Sequence, residues 1–338
     1  MTLIHNYGLA VFFFIITMFC WGSWSNTQKL AAGKWRFELF YFDFVIGLLL
    51  TALTTALTLG SMGTEGRSFQ QDLANADTTS IIYALLGGIT WNAGNLLLVA
   101  AIAVAGMSVG FPIGGGIAWV LGILINMLLV FMDNGTLGGK PVLLIPGIIM
   151  IIAAIWLSML SYKRLAGEQK KTSVKGILLS VGAGLLIAFF YGLVVKSLDK
   201  DFVSGGTGTL TPFSGVFFFA LGAFLTTPLF NGIFMRFPVE GERVKLADYF
   251  RGGFTTHLAG FAGGIIWMTG MTVSFMAAGA ANPAISYALS NAAPVVAILW
   301  GVLIWKEFRS APKGTNAILL TMFGLFIAAL VLITLSNQ

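Results

Sequence analysis

Ten long apolar runs follow one another along this chain, and they constrain its fold more than any other feature. Spanning a hydrocarbon layer of ~30 Å takes about 20 apolar residues in a helix. The runs end at charged, Gly, Pro or Asn residues. They give predicted spans at 8–30, 37–60, 79–104, 107–132, 141–162, 175–197, 212–235, 252–279, 282–305 and 315–335. We therefore predict an all-α integral membrane protein with ten transmembrane helices.

The composition excludes an ordinary soluble domain. Only 9% of the 338 residues are charged, whereas 57% are hydrophobic. A soluble domain carries about 25% charged residues because water must solvate its surface. No connector between the predicted helices is long enough to form a separate soluble domain. The lipid bilayer is therefore the predicted partner of nearly the whole chain, and we expect the function to lie within it.

Basic residues are divided unequally between the two sets of connectors. Fifteen of the 19 Lys and Arg residues follow predicted helices 1, 5, 7 and 9. The other four are Arg67, Lys140, Lys196 and Lys200. Cytoplasmic connectors carry the basic excess, so a multi-pass protein of the cell membrane is predicted with both termini outside the cytoplasm. In a Gram-negative cell this would be the inner membrane. The same bias explains the net charge of +6, so no nucleic-acid partner is predicted.

The second half of the chain repeats features of the first half. Without gaps, residues 87–94 align with residues 263–270 at an offset of 176, and the match continues through the two helices involved on each side. Trp21 matches Tyr191 at a similar offset. Each copy holds five helices, an odd number, so the second copy enters the membrane inverted. Inverted repeats are typical of alternating-access transporters.

The repeat divides the chain into two predicted units, and neither carries a pattern for catalysis. The first unit is residues 1–165 and the second is residues 166–338. The single cysteine, Cys20, leaves no CxxC motif and no thiolate metal site. His5 lies near the terminus, so no His/Asp/Glu cluster has metal-ligand spacing. We predict that the protein is not an enzyme and holds no metal and no cofactor.

Asp43 and His257 are the candidates for proton coupling. Asp43 is the acidic residue predicted well inside a span, roughly 10 Å deep at 1.5 Å per residue. A charged Asp at that depth costs at least ~2.5 kcal/mol, so it faces a polar cavity, pairs with a partner or stays protonated. An unperturbed histidine side chain changes charge near neutral pH, so a histidine at position 257 could relay protons or bind a substrate hydroxyl. The alternative is structural: pairing of Asp43 with a basic residue near the first connector, for which Glu38 is better suited, and an interhelix contact for His257.

Neutral polar and aromatic side chains recur at neighbouring positions of several predicted helices. Amides and hydroxyls can replace the hydration of a small neutral solute, while rings stack on its flat or apolar face. The candidate substrate-binding residues are Trp21, Asn26, Trp91, Asn92, Asn95, Phe111, Tyr191, His257, Trp267, Tyr287, Ser290 and Asn291. The alternative is that these polar groups hold helices together, at around 0.6 kcal/mol each.

The fourth predicted helix carries helix-weakening residues at its start. Phe111-Pro112 is followed by three glycines at 114–116. Proline removes a backbone donor, and glycine lowers helix propensity. We expect a loosened helix there, since interrupted membrane helices expose carbonyl groups that can bind a substrate.

Taken together, these features resemble the drug/metabolite transporter superfamily, and within it the chain is similar to the ureide permeases. The resemblance is carried by Trp21-Gly22, Tyr41-Phe42-Asp43-Phe44, Gly94-Asn95, Gly106-Met107-Ser108-Val109, and Trp300-Gly301 with Lys306-Glu307. Length, helix count and the Trp-Gly pair also resemble the glucose/ribose uptake permeases and the L-rhamnose proton symporter. One feature departs: the long central loop described for some plant ureide permeases is replaced by the basic connector 163–174.

The resemblance implies two inverted five-helix halves with a midplane site between helices 1, 3, 4, 6, 8 and 9. The predicted function is import of a small neutral polar metabolite (a ureide, a nucleobase or nucleoside, or a sugar) by proton symport, with sodium as the other coupling ion considered. The alternative is proton-exchanging efflux, as in the related small multidrug resistance pumps, which rely on a membrane-embedded carboxylate. Asp43 would have to serve in that case. The sequence carries no signal for oligomeric state.

Overall fold

The computed structural model describes residues 1–32, 35–106, 110–166, 173–199 and 208–337. Within these ranges ten helices are long and apolar enough to cross a membrane, so the predicted all-α membrane fold is confirmed. They are α1 Tyr7–Ala31, α2 Phe37–Met62, α3 Thr78–Ala105, α4 Phe111–Asn134, α5 Pro141–Leu165, α6 Val174–Ser197, α7 Pro212–Arg236, α8 Phe254–Ala280, α9 Pro283–Ile304 and α10 Thr315–Ser336. Residues 107–109 of the family resemblance and Lys34, Lys170, Lys171 and Lys200 lie outside the described residues.

Short polar side chains begin several of these helices. The Asp77 carboxylate accepts a hydrogen bond from the Ser80 amide, 2.6 Å away, at the start of α3. Asn6, Thr211 and Asn282 cap α1, α7 and α9 in the same way. Such caps satisfy amides that have no partner within the helix, so the positions of these residues decide where the helices begin.

Three helices depart from regular α geometry near the middle of the bundle. α1 is interrupted at Trp24, between Tyr7–Ser23 and Ser25–Ala31. α4 begins with a π-helical turn, Phe111–Gly115, at the predicted loosened segment. α9 is interrupted after Pro283–Ser290. The irregular segments of α4 and α9 occupy equivalent positions of the repeat, since Gly115 and Asn291 are 176 residues apart.

Glycines bring two pairs of helices into backbone contact. A Cβ atom on Gly88 of α3 would lie 1.9 Å from the Phe219 carbonyl oxygen of α7. A Cβ atom on Gly264 of α8 would lie 1.9 Å from the Phe44 carbonyl oxygen of α2. Only glycine therefore permits either approach. The two contacts involve residues 175 and 176 positions apart in the chain.

The contacts between helices are equivalent in the two halves of the chain. α3 packs on α6 and α7, while α8 packs on α1 and α2. α4 contacts α6 and α9, and α9 contacts α1. α5 packs on α10 at the edge. Exchanging α1–α5 with α6–α10 leaves this set of neighbours unchanged.

The two ends of the bundle differ in what they hold. Both chain termini lie at one end, here called the terminal end: the Met1 amino group donates to the Gly63 carbonyl at 3.3 Å, and Asn282 donates to Asn337 at 3.1 Å. Burial lowers the pKa of the Met1 amino group. The other end, called the basic end, holds the connectors that follow α1, α3, α5, α7 and α9.

Candidate functional site

A cavity of about 50 Å³ lies in the middle of the bundle, where α1, α3, α4, α6, α8 and α9 meet. We call it the central cavity. Six of the candidate substrate-binding residues line it: Trp21, Trp91, Asn95, Phe111, Trp267 and Asn291. None of the described residues that line it is charged. The irregular segments of α4 and α9 both contribute to its wall.

Tryptophan rings form one side of the central cavity. Trp21 stacks on Trp267 with ring centroids 5.3 Å apart and planes at 16°. Trp91 lies 4.1 Å from Trp267, centroid to centroid. The Trp21 indole N–H donates to the backbone carbonyl oxygen of Trp267 at 3.0 Å, which fixes the orientation of the Trp21 ring. Rings held this way offer flat faces at a small loss of side-chain entropy.

Two amides, one from each half of the chain, lie at the wall of the central cavity. Asn95 of α3 donates to the Tyr41 hydroxyl at 3.2 Å. Asn291 of α9 donates to the Tyr287 carbonyl oxygen at 3.2 Å. Each amide therefore has one hydrogen bond that sets its orientation at the cavity wall. An amide offers both donors and acceptors, so this wall is suited to a neutral polar solute.

Asn92 lies outside the cavity lining and ties three helices together. Its carbonyl oxygen accepts from the Tyr41 hydroxyl at 2.9 Å. Its amide nitrogen donates to the Ala223 carbonyl oxygen at 2.9 Å and to the Thr227 hydroxyl at 3.1 Å. The side chain is fully buried. The structure therefore places Asn92 in helix packing, which is the alternative considered for the polar residues.

Three further candidates pack between the central cavity and the terminal end. Tyr191 stacks on Phe275, with centroids 4.9 Å apart, and meets Tyr287 edge to face. The Tyr287 hydroxyl donates to the Ala118 carbonyl oxygen at 2.7 Å. Ser290 shares a hydrogen bond of 2.9 Å with a second buried serine, on α8. These contacts close the bundle on the terminal side of the cavity.

A larger cavity of about 660 Å³ lies at the basic end. We call it the vestibule. It is lined by Gln28, Lys29, Ala32, Trp35, Arg36, Phe37, Phe40, Ile102, Ala103, Gly106, Leu165, Glu240, Gly241 and Glu307. Ile102 lies one helical turn beyond Leu98, which lines the central cavity. The approach to the central cavity is therefore from the basic end.

Asn26 lines neither the central cavity nor the vestibule, although it lies close to Lys29 of the vestibule wall. The Asn26 carbonyl oxygen accepts from the Trp305 indole at 2.6 Å. Lys29 lies over the same Trp305 ring, 4.3 Å from its centroid, and pairs with Glu307 at 2.7 Å. The structure therefore places Asn26 in a contact between the second half of α1 and the end of α9.

Asp43 and His257, predicted separately from the sequence, are in contact. His257 Nδ1 lies 2.8 Å from Asp43 Oδ2, between α8 and α2. The Tyr249 hydroxyl, from the connector before α8, donates to Asp43 Oδ1 at 2.5 Å. The Asp43 side chain is fully buried, and Trp35 packs edge to face on the His257 ring. The fold therefore holds the buried Asp43 carboxylate between two side-chain hydrogen-bond partners, Tyr249 and His257.

Tyr249 lies outside the membrane-spanning helices, and its ionisation is opposed by its surroundings. Burial, followed by the hydrogen bond and the charge of Asp43, raises the pKa of Tyr249. The hydroxyl therefore stays a donor through the physiological range. Sequence reasoning missed Tyr249, because a tyrosine in a connector gives no spacing signal. Glu38 forms the structural ion pair for which the sequence favours it over Asp43: Arg36 pairs with it at 2.6 Å.

The central cavity also contains residues that were not among the site candidates. Trp24 and Phe190 line it beside the predicted tryptophans. Trp24 packs on Phe44, with ring centroids 4.9 Å apart, a contact that no spacing in the sequence predicts. Phe190, the residue before Tyr191, lines the cavity, whereas the sequence indicates Tyr191. A one-residue difference on a helix moves a ring by about 100°.

The sequence profile of the ureide permease family matches residues 40–175 and 152–336, which together span most of the chain. The chain belongs to the ureide permease family. Ureide permease 1 of Arabidopsis thaliana is 24% identical over an alignment covering 100% of this chain and 99% of the relative. Ureide permease 4 of the same plant is 25% identical, with the same coverage. The protein is thus a multi-pass membrane transporter by family and by fold.

More distant similarity extends beyond the plant ureide permeases. The putative sugar uptake protein lmo0424 of Listeria monocytogenes is 25% identical, covering 74% of this chain and 79% of the relative. A protein of known crystal structure shares the fold with a TM-score of 0.59 at 16% identity, covering 98% of this chain and 99% of that one. This last match concerns the fold alone.

Proposed function

We propose that this ureide permease family member is a secondary active transporter of the drug/metabolite superfamily that imports a small neutral polar metabolite by proton symport. The observation that carries the proposal is the central cavity, whose described lining is aromatic and amide and holds no charge. Hydrogen bonds to Asn95 and Asn291 would replace the water of a solute while the tryptophans stack on it. Ureides, nucleobases, nucleosides and sugars share this chemistry, and the relatives' names include two of these classes.

Alternating access by two inverted five-helix repeats is supported by the symmetry of the contacts. Helix neighbours are preserved when residues 1–165 exchange roles with residues 166–338, and matched glycines make matched backbone contacts. An inverted repeat can adopt two conformations in which the halves exchange shape. In one of these conformations the site is open at one end and closed at the other. The vestibule at the basic end and the packed tyrosines on the terminal side fit that conformation.

The proposed orientation places the basic end in the cytoplasm of a cell membrane. The connectors at that end carry most of the Lys and Arg residues, which are retained on the cytoplasmic side. The vestibule then opens inward, and both termini lie outside. In this orientation the protein is in the state that releases an imported solute.

The proton-coupling site is proposed at Asp43, with His257 as its exchange partner. The two side chains bridge α2 and α8, one helix from each half. A proton that neutralises Asp43 would weaken its charge-assisted contacts to both donors, so protonation and helix position are linked. A membrane potential supplies ~2.3 kcal/mol per charge per 100 mV, enough to concentrate a neutral solute severalfold.

The first test is ligand binding by the purified protein. Melting would be recorded in detergent with hexoses, pentoses, allantoin, nucleobases, nucleosides and lipophilic cations. A solute at 100 times its Kd stabilises the folded state by about 2.7 kcal/mol. We expect a shift with one neutral class and loss of that shift in Asn95→Ala. A shift with lipophilic cations alone would replace the import proposal with efflux.

The second test concerns coupling in proteoliposomes. Asp43→Asn is expected to abolish pH-driven accumulation of the identified solute while leaving exchange of bound solute nearly intact. Glu65→Gln, which removes a partly exposed carboxylate at the terminal end, is the matched control and should accumulate normally. Undiminished proton-driven uptake by Asp43→Asn would remove Asp43 from the mechanism. Accumulation driven by a sodium gradient alone would replace the coupling ion.

A further inference from the structure

The terminal end is closed by an ionic cluster in which one base lies between two acids. Arg67, in the connector after α2, pairs with Asp72 at 2.5 Å and with Asp199, at the end of α6, at 2.8 Å. Asp72 also accepts hydrogen bonds from the amide and hydroxyl of Thr211 at the start of α7. The three charged side chains are at most 10% exposed. The cluster fastens the α2–α3 connector to the α6–α7 connector.

The repeat gives each member of this cluster a counterpart at the basic end. At the offset of 176, Arg67 corresponds to Arg243 and Asp72 to Asp248. At the offset of 170 that aligns Trp21 with Tyr191, Asp199 corresponds to Lys29. Two positions keep their charge and the third reverses it. The counterpart set is therefore two bases and one acid.

Lys29 and Asp248 each pair with another residue in the structure. Lys29 pairs with Glu307 across the end of α9, at 2.7 Å. Asp248 makes an exposed contact of 3.3 Å with Arg251, three residues away on its own connector. Exposed pairs of this kind contribute little and exchange readily. The vestibule occupies the space between the Lys29 wall and the connector that carries Glu240 and Gly241.

We infer that closure of the basic end forms an ionic latch of inverted polarity, in which Asp248 lies between Arg243 and Lys29 and Lys29 has left Glu307. Arg67 takes the central place at the terminal end because two acids flank it. Asp248 takes the central place at the basic end because the reversed charge at Lys29 makes the acid the shared partner. The latch rests on the alternating access proposed above.

The interruption of α1 supplies the movement that this exchange requires. Lys29 lies on the segment Ser25–Ala31, which is set off from the rest of α1 at Trp24. Trp24 itself lines the central cavity. A solute that displaces Trp24 would therefore move the segment that carries Lys29, and the state of the cavity would be linked to the partner of Lys29.

The test measures access to each end with single reporter cysteines in a Cys20→Ala background. Ala103→Cys reports the vestibule, and Ser197→Cys reports the terminal end, where that residue is fully buried. Both would be labelled with an impermeant maleimide in oriented proteoliposomes. Glu307→Gln should slow vestibule labelling and speed terminal-end labelling by about twofold to fivefold, the effect of losing one partly exposed pair.

Asp248→Asn should shift both labelling rates in the opposite direction. The matched control is Glu240→Gln, which removes a vestibule carboxylate outside the latch and should change neither rate. Transport lost in Lys29→Asp and in Asp248→Lys should return in part in the double variant, because the contact between positions 29 and 248 is restored with reversed sign while Arg243 loses its acidic partner. Return of transport in the double variant does not require either single variant to be fully stable.

Two results would overturn the latch, and they differ in what else they overturn. Labelling that responds to solute at both ends but not to Asp248→Asn, with no rescue by the charge exchange, removes the latch and leaves alternating access in place. Labelling at both ends that never responds to any transported solute removes alternating access and the latch together.

Discussion

The terminal end and the basic end of the bundle are held by different kinds of polar contact. At the terminal end, Arg67 and its two carboxylate partners are buried. Burial lowers the pKa of Arg67, but the two carboxylates raise it by more, so its pKa lies above the ordinary value. At the basic end, the Lys29–Glu307 pair is partly exposed, with 34% and 23% of the side-chain surfaces accessible. A buried cluster is costly to break, whereas a partly exposed pair exchanges partners. The end that is closed is therefore the one with the greater barrier to opening.

The largest expected effect comes from removing the base of the buried cluster. Arg67→Met leaves two carboxylates without their cation in a buried site, which costs about 3–5 kcal/mol. We expect a large drop in melting temperature, together with faster labelling of Ser197→Cys. Arg251→Met, which removes an exposed pair, should melt like the parent protein. Equal melting of the two variants would show that the ends are not held differently.

The next effect tests whether the middle of the bundle is alike in both halves. A methyl group on Gly88 or on Gly264 meets a backbone carbonyl oxygen at 1.9 Å in each case. Both Gly88→Ala and Gly264→Ala should destabilise by about 1–3 kcal/mol, the usual cost of overpacking. Gly324→Ala, with no neighbouring atom within 4 Å, is the control. A tolerated substitution in one half alone would contradict the equivalence of the two contacts.

A smaller effect is expected from the hydroxyl that reaches Asp43. Tyr249→Phe removes one donor to a buried carboxylate that keeps its His257 partner, and should cost about 0.5–1.5 kcal/mol, the net contribution of one hydrogen bond. Because the pKa of Tyr249 is raised above its ordinary value of 10.0, its contribution is complete below pH 10 and is lost as pH rises further. The parent protein should therefore lose more stability than Tyr249→Phe between neutral pH and the alkaline range. Parallel melting curves against pH would contradict this assignment.

The smallest effect is expected at the partly exposed pair. Lys29→Met should change the free energy of unfolding by no more than about 1 kcal/mol, since such pairs are screened by water. Transport should nevertheless fall, because Lys29 is assigned to closure of the basic end. A loss of stability comparable to that of Arg67→Met would erase the difference between the two ends.

Most of the helix pattern is predictable because the bilayer imposes a length and a hydropathy on every span. The ten spans were predicted with ends that differ from the structure by at most four residues. The loosened start of α4 was predicted from Pro112 and its neighbouring glycines, and a π-helical turn lies there. Helix ends and weakened helical turns depend on residues that are close together in the chain, so a single sequence is enough to predict them.

The candidate site was predictable in composition but not in detail. An isolated carboxylate must find partners, so Asp43 could be singled out, yet only the fold brings Tyr249 to it. Asn92 and Asn95 lie one turn apart on α3. The Asn92 side chain uses its hydrogen bonds in contacts among three helices, whereas Asn95 lines the central cavity. Which face of a helix meets a cavity depends on helix rotation, and an apolar helix in lipid gives little periodic signal of its rotation.

The crowding of indoles around the central cavity has an optical consequence. Of the nine tryptophans, Trp21, Trp24, Trp91 and Trp267 surround this one space. Trp21 and Trp267 are nearly parallel at 5.3 Å, close enough for their electronic transitions to couple. The near-ultraviolet circular dichroism of the unlabelled protein should therefore contain an intense indole band, because these rings are packed in a fixed asymmetric arrangement. A solute that enters between the rings would change that band directly, so occupancy can be followed without a dye or an isotope.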